Sequence, residues 1–139
     1  MAAPVGGGDR FSGTIATHHL ARMRLFAGRL EESEALFLDA IQGSVALRHD
    51  EGIAYALEGL AAIAAERDDV ERAGVLSGAA DAIRRRTAMF DVPAFVFHPR
   101  YLAALAERAD PGRLRAAEER GRDCGALEAA EYPLAGRGA

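Results

Sequence analysis

Lysine is absent from the 139-residue sequence, and so are asparagine and tryptophan. Without lysine the chain has no side-chain amine for a Schiff base, no lysine general base and no lysine for a phosphate-binding loop. Cysteine occurs once, at Cys124, so an intrachain disulfide is excluded. These absences remove several classes of catalytic and redox site before any motif is considered.

The sequence also lacks an apolar run near the roughly 20 residues that a membrane helix requires. Its N-terminus lacks the basic-then-apolar design of a signal peptide, and we therefore expect a cytoplasmic protein. The net charge of −4 argues against nucleic acid as the main partner. The many arginines still leave room for a local basic patch. Abundant alanine, arginine and glycine fit a high-GC genome.

Half of the residues are hydrophobic, and the apolar ones recur at helical spacing through most of the chain. We expect an all-α fold with a flexible leader over residues 1–12, a helical domain over 13–134 and a frayed tail over 135–139. Glycine, proline and aspartate divide the domain into segments. The predicted helices cover residues 14–27, 30–48, 50–66, 68–86, 99–108, 111–124 and 126–131.

A 40-residue repeat relates the first two helices to the next two. Small residues recur where the two helices of a pair must approach closely, and a large residue lies between them. The matched positions are Leu20 with Leu60, Ala21 with Ala61, Ser33 with Ala73, Phe37 with Ser77, and Ala40 with Ala80. This pattern resembles the tetratricopeptide repeat, and the 40-residue period resembles its long-helix variant. The resemblance implies a short α-solenoid with repeat pairs at about 14–48 and 50–86 and capping helices at about 99–124.

The stretch EGLAAIAAERDDVERAGVLSGAADAIR is similar to the C-terminal repeats of large actinobacterial transcriptional regulators. In that family a nucleotide-binding switch domain precedes the repeats, and a proline-rich loop, a helix and a final helix of AEGR-plus-acidic character follow them. Residues 99–108 and 117–122 correspond to these two helices. The resemblance implies the sensing or docking end of a longer regulator, or a stand-alone relative. Nothing in this sequence resembles a phosphate loop.

The resemblance also suggests a binding groove, because the first helix of each tetratricopeptide pair lines the concave face. It places five polar side chains near one groove: His18, His19, Arg22, Tyr55 and Glu58. One interpretation is a groove for a peptide segment or a small acidic ligand, with Arg22 as the ionic anchor. The other is an ordinary solvated helix face. A pair between Glu58 and either histidine is the only acid–base pair that the sequence suggests.

Three phenylalanines lie in an apolar, proline-containing segment between the fourth and fifth helices: Phe90, Phe95 and Phe97. Either this segment folds back and caps the repeat core, or it exposes an apolar patch that contacts a second copy or another domain.

We expect no metal and no cofactor. Adjacent helical residues such as His18 and His19 point about 100° apart, whereas ligand pairs favour a spacing of three or four residues. Cys124 has Arg120 and Arg122 nearby, which could lower the pKa of its thiol, or it is an incidental cysteine. No catalytic constellation is evident in the sequence.

The leading functional hypothesis is a non-catalytic protein-interaction or ligand-sensing module, related to a bacterial transcriptional regulator. The alternative is a small helical enzyme or a small-molecule-binding protein that uses the concave groove. The expected partners are a protein, a peptide or other domains of a longer regulator. Two repeat pairs are few for an open solenoid, so we also expect self-association through the first helices or a place in a longer array.

Overall fold

A computed structural model describes residues 7–87 and 97–135, with the backbone alone described for residues 7–12, 126–127 and 135. In these ranges the chain forms seven α-helices and no strand. They are α1 (Gly7–Phe26), α2 (Leu30–Ala46), α3 (Asp50–Glu66), α4 (Val70–Thr87), α5 (His98–Arg108), α6 (Pro111–Arg122) and α7 (Ala126–Ala135). The predicted all-α fold of sequential antiparallel helix pairs is confirmed. No helix in the described ranges is both long and apolar enough to cross a membrane.

The first and last helices are longer than predicted. Helix α1 begins at Gly7 and not near Thr14, so part of the predicted leader is helical. Gly13 lies inside this helix, because one glycine costs a helix only about 1 kcal/mol and does not by itself stop it. Helix α7 continues past Glu131 to Ala135, with Pro133 in its last turns.

Three turns with the same geometry join the first four helices. Each contains one residue with a left-handed backbone: Gly28 at φ 80°, Arg48 at φ 53° and Asp68 at φ 59°. The next residue donates its N–H to the carbonyl five positions back at 2.9 Å, and these bonds are Arg29 to Arg24, His49 to Ser44 and Asp69 to Ala64. This is the Schellman arrangement that ends many helices. The left-handed residues are 20 positions apart, so two such units account for the 40-residue repeat.

Small residues allow the first four helices to pack closely. The Ser33 hydroxyl is buried and donates to the Ala21 carbonyl oxygen at 2.7 Å, which ties α2 to α1. Phe37 is fully buried against α3, where a side chain at Gly59 would overlap its ring. The large residue in the first repeat therefore does lie between helices, as its spacing suggested.

The C-terminal helices cover the repeat pairs from different sides. Helix α6 packs along α4 through Gly74, Gly78 and Gly121, where an added Cβ would overlap the facing helix. Helix α5 lies on α3, and Arg108 near its end donates to the Asp68 carboxylate at 2.8 Å. Helix α7 contacts α2, α3 and α4. The described C-terminal helices thus pack on the repeat pairs and contribute to one continuous core.

Candidate functional site

A cavity of about 220 Å³ lies among α1, α2 and the first turns of α3. Its lining is mostly apolar, with a few polar groups at defined positions. The residues that matter for its chemistry are Thr14, His18, Ala40, Ser44, His49 and Tyr55. Thr14 and His18 come from α1, Ala40 and Ser44 from α2, and Tyr55 from α3, so the helical repeat itself brings them together.

His18 forms an aromatic wall of this cavity. Its side chain is only 5% exposed, and its ring centroid lies 5.3 Å from that of Phe37 and 5.6 Å from that of Tyr55. Burial, with smaller contributions from the neighbouring charges of His19 and Arg22, lowers the pKa of His18 from 6.5 to about 4. The imidazole is therefore neutral at pH 7, and it does not act as a cationic anchor.

Ser44 supplies a polar group on the cavity wall. Its side chain is fully buried, and within the described residues its hydroxyl has no hydrogen-bond partner. A buried hydroxyl without a partner costs about 1–3 kcal/mol, so the site favours a ligand that can bond to it. Next to Ser44, the His49 Nδ1 atom accepts a bond from the Gly52 N–H at 3.2 Å and thereby caps α3.

Two of the five predicted groove residues, His18 and Tyr55, meet at the cavity. His19 and Arg22 lie beside it on α1, half-buried, and Arg22 Nη2 donates to His19 Nδ1 at 3.0 Å. The Arg22 guanidinium is not part of the cavity lining, so the proposed ionic anchor lies outside this cavity.

The fifth predicted groove residue, Glu58, lies elsewhere. Its side chain is only 1% exposed, and its carboxylate pairs with the Arg84 guanidinium through both oxygens, with Nη2 to Oε1 at 2.9 Å. His98 Nδ1 lies 3.9 Å from Glu58 Oε1, so the Glu58 carboxylate is engaged by Arg84 and His98, and not by His18 or His19 as the suggested acid–base pair would require. Glu58 is the only acid among twelve buried residues of α3. An ionised group in that position requires a partner, so the sequence signals that a partner exists, and the structure identifies it as Arg84.

A second, charged pocket of about 370 Å³ adjoins the Glu58–Arg84 pair. Arg85 and Arg122 both bind the Asp81 carboxylate there, at 3.1 Å and 3.0 Å. Burial, more than the nearby charges, lowers the pKa of His98, which favours its neutral form. The charged side chains of this pocket are therefore engaged mainly with one another.

Phe97 packs in the core just before α5. Its ring centroid lies 5.6 Å from that of Phe26 and 6.5 Å from that of Phe37, and its side chain is buried. Phe97 itself therefore belongs to the core and is not part of an exposed apolar patch. Phe90 and Phe95 lie outside the described residues.

Neither metal binding nor cysteine chemistry gains support from the described residues. Among them, no three histidine, cysteine, aspartate or glutamate side chains come close enough to hold a metal ion. The pKa of the Cys124 thiol is raised, first by burial and then by the charges of Glu128 and Asp123. The predicted lowering by Arg120 and Arg122 is therefore wrong, and the thiol is not an activated nucleophile.

Comparisons of the chain with models of known protein families, with curated proteins and with solved structures found no match. The two pockets and the helix surfaces are therefore the features from which a function can be inferred.

Proposed function

We propose that the chain is a non-catalytic, tetratricopeptide-like interaction module that binds a peptide by taking one apolar side chain into the cavity among α1, α2 and α3. Two features support the tetratricopeptide-like assignment. The helices pack in sequential antiparallel pairs, and the same Schellman turn recurs every 20 residues. The cavity is lined from α1 and α3, which are the first helices of the two pairs and correspond to the helices that line the concave face in that family.

The observation that carries this proposal is the combination of the cavity's size with the Ser44 hydroxyl, which has no hydrogen-bond partner among the described residues. At about 220 Å³ the cavity is smaller than the roughly 300–1,000 Å³ typical of small-molecule sites. It suits one aliphatic or aromatic side chain. The Ser44 hydroxyl could then bond to the backbone or to a polar atom of the same peptide, which would remove the cost of leaving it unpaired.

The alternative function, a small-molecule-binding protein or a small helical enzyme, is favoured by the charged pocket. Its volume of about 370 Å³ falls within the usual range, and it holds His98 beside Glu58. The internal ion pairs of that pocket weigh against it, because a ligand would have to compete with Asp81 for Arg85 and Arg122.

We infer a regulatory role from the sequence stretch that is similar to the repeats of actinobacterial transcriptional regulators. On this proposal the peptide belongs to another domain of such a regulator or to a protein that it controls. The inference depends on the likeness of roughly residues 50–134 to those repeats, and it is independent of the cavity.

A peptide-library selection against the purified chain tests the peptide site. We expect an enriched motif with a single apolar anchor, measured as binding of the synthetic peptide by fluorescence anisotropy. Ala40→Leu, which fills the cavity from α2, should reduce affinity at least tenfold. Ala116→Leu makes the same change on the exposed surface of α6 and should leave affinity unchanged.

A third variant tests the contribution of the Ser44 hydroxyl separately from that of the cavity volume. Ser44→Ala keeps the cavity open and should weaken binding several-fold while the protein stays folded, as checked by circular dichroism. Equal affinity of the peptide for the wild type and for Ala40→Leu would overturn the proposed site. A selected peptide that responds instead to Arg122→Ala would move the site to the charged pocket.

A further inference from the structure

The charged pocket lies where the C-terminal helices meet the second repeat pair. Its lining comes from α3, α4, α5 and α6. At about 370 Å³ it is near the lower end of the range for small-molecule sites, which suits a compact ligand. Among the described residues it shares none of its lining with the cavity among α1, α2 and α3. A ligand of the charged pocket is therefore independent of the proposed peptide site.

The charges of this pocket balance in total but not pair by pair. The lining contains three carboxylates and three guanidinium groups, which belong to Glu58, Asp81, Glu118, Arg84, Arg85 and Arg122. Glu58 and Arg84 neutralise each other through two hydrogen bonds. Arg85 and Arg122, in contrast, both bind the same oxygen of Asp81 through their Nε atoms. Two positive charges therefore share one carboxylate, and one positive charge is left over.

Glu118 is the carboxylate that this arrangement leaves unpaired. It is half-buried, and in the described part of the chain it takes part in no hydrogen bond or ion pair. Burial raises the pKa of Glu118, and this effect exceeds the opposing one of the Arg122 charge. A cationic ligand group beside Glu118 would offset the cost of burying its charge.

His98 adds a polar atom that also lacks a partner. Its Nδ1 atom is buried and has no hydrogen-bond partner among the described residues, since the Glu58 oxygen at 3.9 Å is beyond hydrogen-bond distance. A neutral imidazole carries one nitrogen that accepts a hydrogen bond and one that donates. Buried polar atoms are rarely left without a partner, so this one also points to a ligand with hydrogen-bonding groups.

We propose that the charged pocket binds a small zwitterion with adjacent carboxylate and ammonium groups, which is the chemistry of a free α-amino acid. The ligand carboxylate accepts N–H groups of Arg85 and Arg122, and the ligand ammonium donates to Glu118. Each guanidinium has five N–H donors, so the ligand competes with Asp81 for only part of each arginine. Glu118 and Arg122 are four residues apart and are neighbours on α6, so one small molecule reaches both.

A ligand with a charge of one sign fits this pocket less well. An anion such as phosphate would bind the two arginines but would bring its charge beside the unpaired Glu118 carboxylate. A simple amine would bind Glu118 but would face the excess positive charge of Arg85 and Arg122. Burying an unpaired charge is costly, so a ligand that carries both signs is favoured.

Thermal unfolding in the presence of each standard amino acid, at about 10 mM, tests the proposal. We expect at least one of them to raise the unfolding midpoint and to bind with one-to-one stoichiometry in isothermal titration calorimetry. Its N-acetyl derivative lacks the ammonium and the corresponding amine lacks the carboxylate. Each should therefore bind at least tenfold more weakly, because each loses a charge-assisted hydrogen bond.

Two variants of α6 locate the site. Glu118→Gln and Arg122→Gln should each weaken binding of the selected amino acid at least tenfold. Glu119→Gln and Arg113→Gln make the same changes at exposed positions of the same helix and should bind as the wild type does. Circular dichroism checks that all four variants are folded.

Three results would overturn the proposal. The first is a screen in which no amino acid changes the unfolding midpoint. The second is equal affinity of the wild type and Glu118→Gln for the selected amino acid. The third is binding of the N-acetyl derivative, or of inorganic phosphate, as tight as that of the amino acid, because the pocket would then be a simple anion site. The comparison of derivatives uses the wild type alone, so it remains decisive even if a variant does not fold.

Discussion

Mild acid should destabilise this protein through His18. Its pKa is about 4 in the folded chain and 6.5 in the reference state, so the folded state binds the proton less well than the unfolded state does. Because the folded pKa is the lower one, the stability that comes from burying the neutral His18 ring is fully present above pH 6.5 and is lost as the pH falls toward 4. With these two pKa values, the free energy of unfolding should be about 2 kcal/mol lower at about pH 5 than at about pH 7.5.

Urea unfolding at these two pH values measures the effect. His98 also has a lowered pKa and would add a contribution of the same sign, so the comparison is best made in a His98→Gln background. In that background, His18→Leu should remove most of the difference in the free energy of unfolding between the two pH values. His19→Leu, the matched change at the adjacent half-buried histidine, should leave most of the difference in place, because burial lowers the pKa of His18 more than the charge of His19 does. Carboxylates contribute less in this window, because their ordinary pKa values lie below it.

If the His18→Leu protein loses as much stability between the two pH values as its parent does, His18 is not the source of the acid sensitivity. A second measurement is independent of unfolding. The imidazole resonances of His18 should titrate near pH 4 in the folded protein, well below an ordinary histidine. A midpoint near 6.5 would mean that the ring is accessible to water, and His18 would no longer count as a buried wall of the cavity.

Two further changes test the packing. Arg84→Met should lower the free energy of unfolding by about 3–5 kcal/mol, because it leaves the Glu58 carboxylate buried without its partner. Glu58→Leu/Arg84→Met should recover most of that loss. A double variant as unstable as Arg84→Met would contradict this expectation. Arg48→Gly should raise the free energy of unfolding by about 0.5–1 kcal/mol, since Arg48 has a left-handed backbone at φ 53° that glycine adopts without strain. Arg48→Ala is the control, with little expected change, and equal stability of the two variants in urea unfolding would show that the turn is not strained.

The helix pairs could be predicted from the sequence because their signals are local. Apolar spacing located the helix interiors, and Gly28 marked the first turn correctly. Arg48 and Asp68 form the same left-handed turn without a glycine. At these two positions the 40-residue repeat predicts the turn better than the residue type does. The start of α1 differs from the expected residue 14, because Gly13 suggests a helix boundary in the sequence but lies within the helix.

The packing of the C-terminal helices could not be predicted from local signals. Gly74, Gly78 and Gly121 permit α6 to lie against α4, but glycine has no side chain, and in a sequence it signals a weak helix as readily as a close contact. The Glu58–Arg84 pair joins residues 26 positions apart. The lone carboxylate in an apolar stretch predicts that a partner exists, and only the tertiary structure identifies it.

The candidate site was predicted in part for a similar reason. His18 and Tyr55 meet at the cavity because the spacing of the helix pairs brings α1 and α3 together. Their polarity was misleading, since burial keeps the His18 ring neutral. Ser44 was missed altogether. A serine within an amphipathic helix gives no sign in the sequence that its hydroxyl is buried and has no partner in the described part of the chain.

The position of α5 limits which part of α3 a peptide could reach. Along the C-terminal half of α3, Arg108 of α5 binds Asp68 and the Ala65 carbonyl oxygen, both at 2.8 Å. Nearer the middle of α3, Phe37 of α2 lies over Gly59 and stacks against Phe97. In the described part of the chain these contacts cover that half, while the cavity adjoins only the first turns of α3. A bound segment would therefore have to be short and held mainly by one side chain, so selected peptides that need several widely spaced anchors would be incompatible with this arrangement.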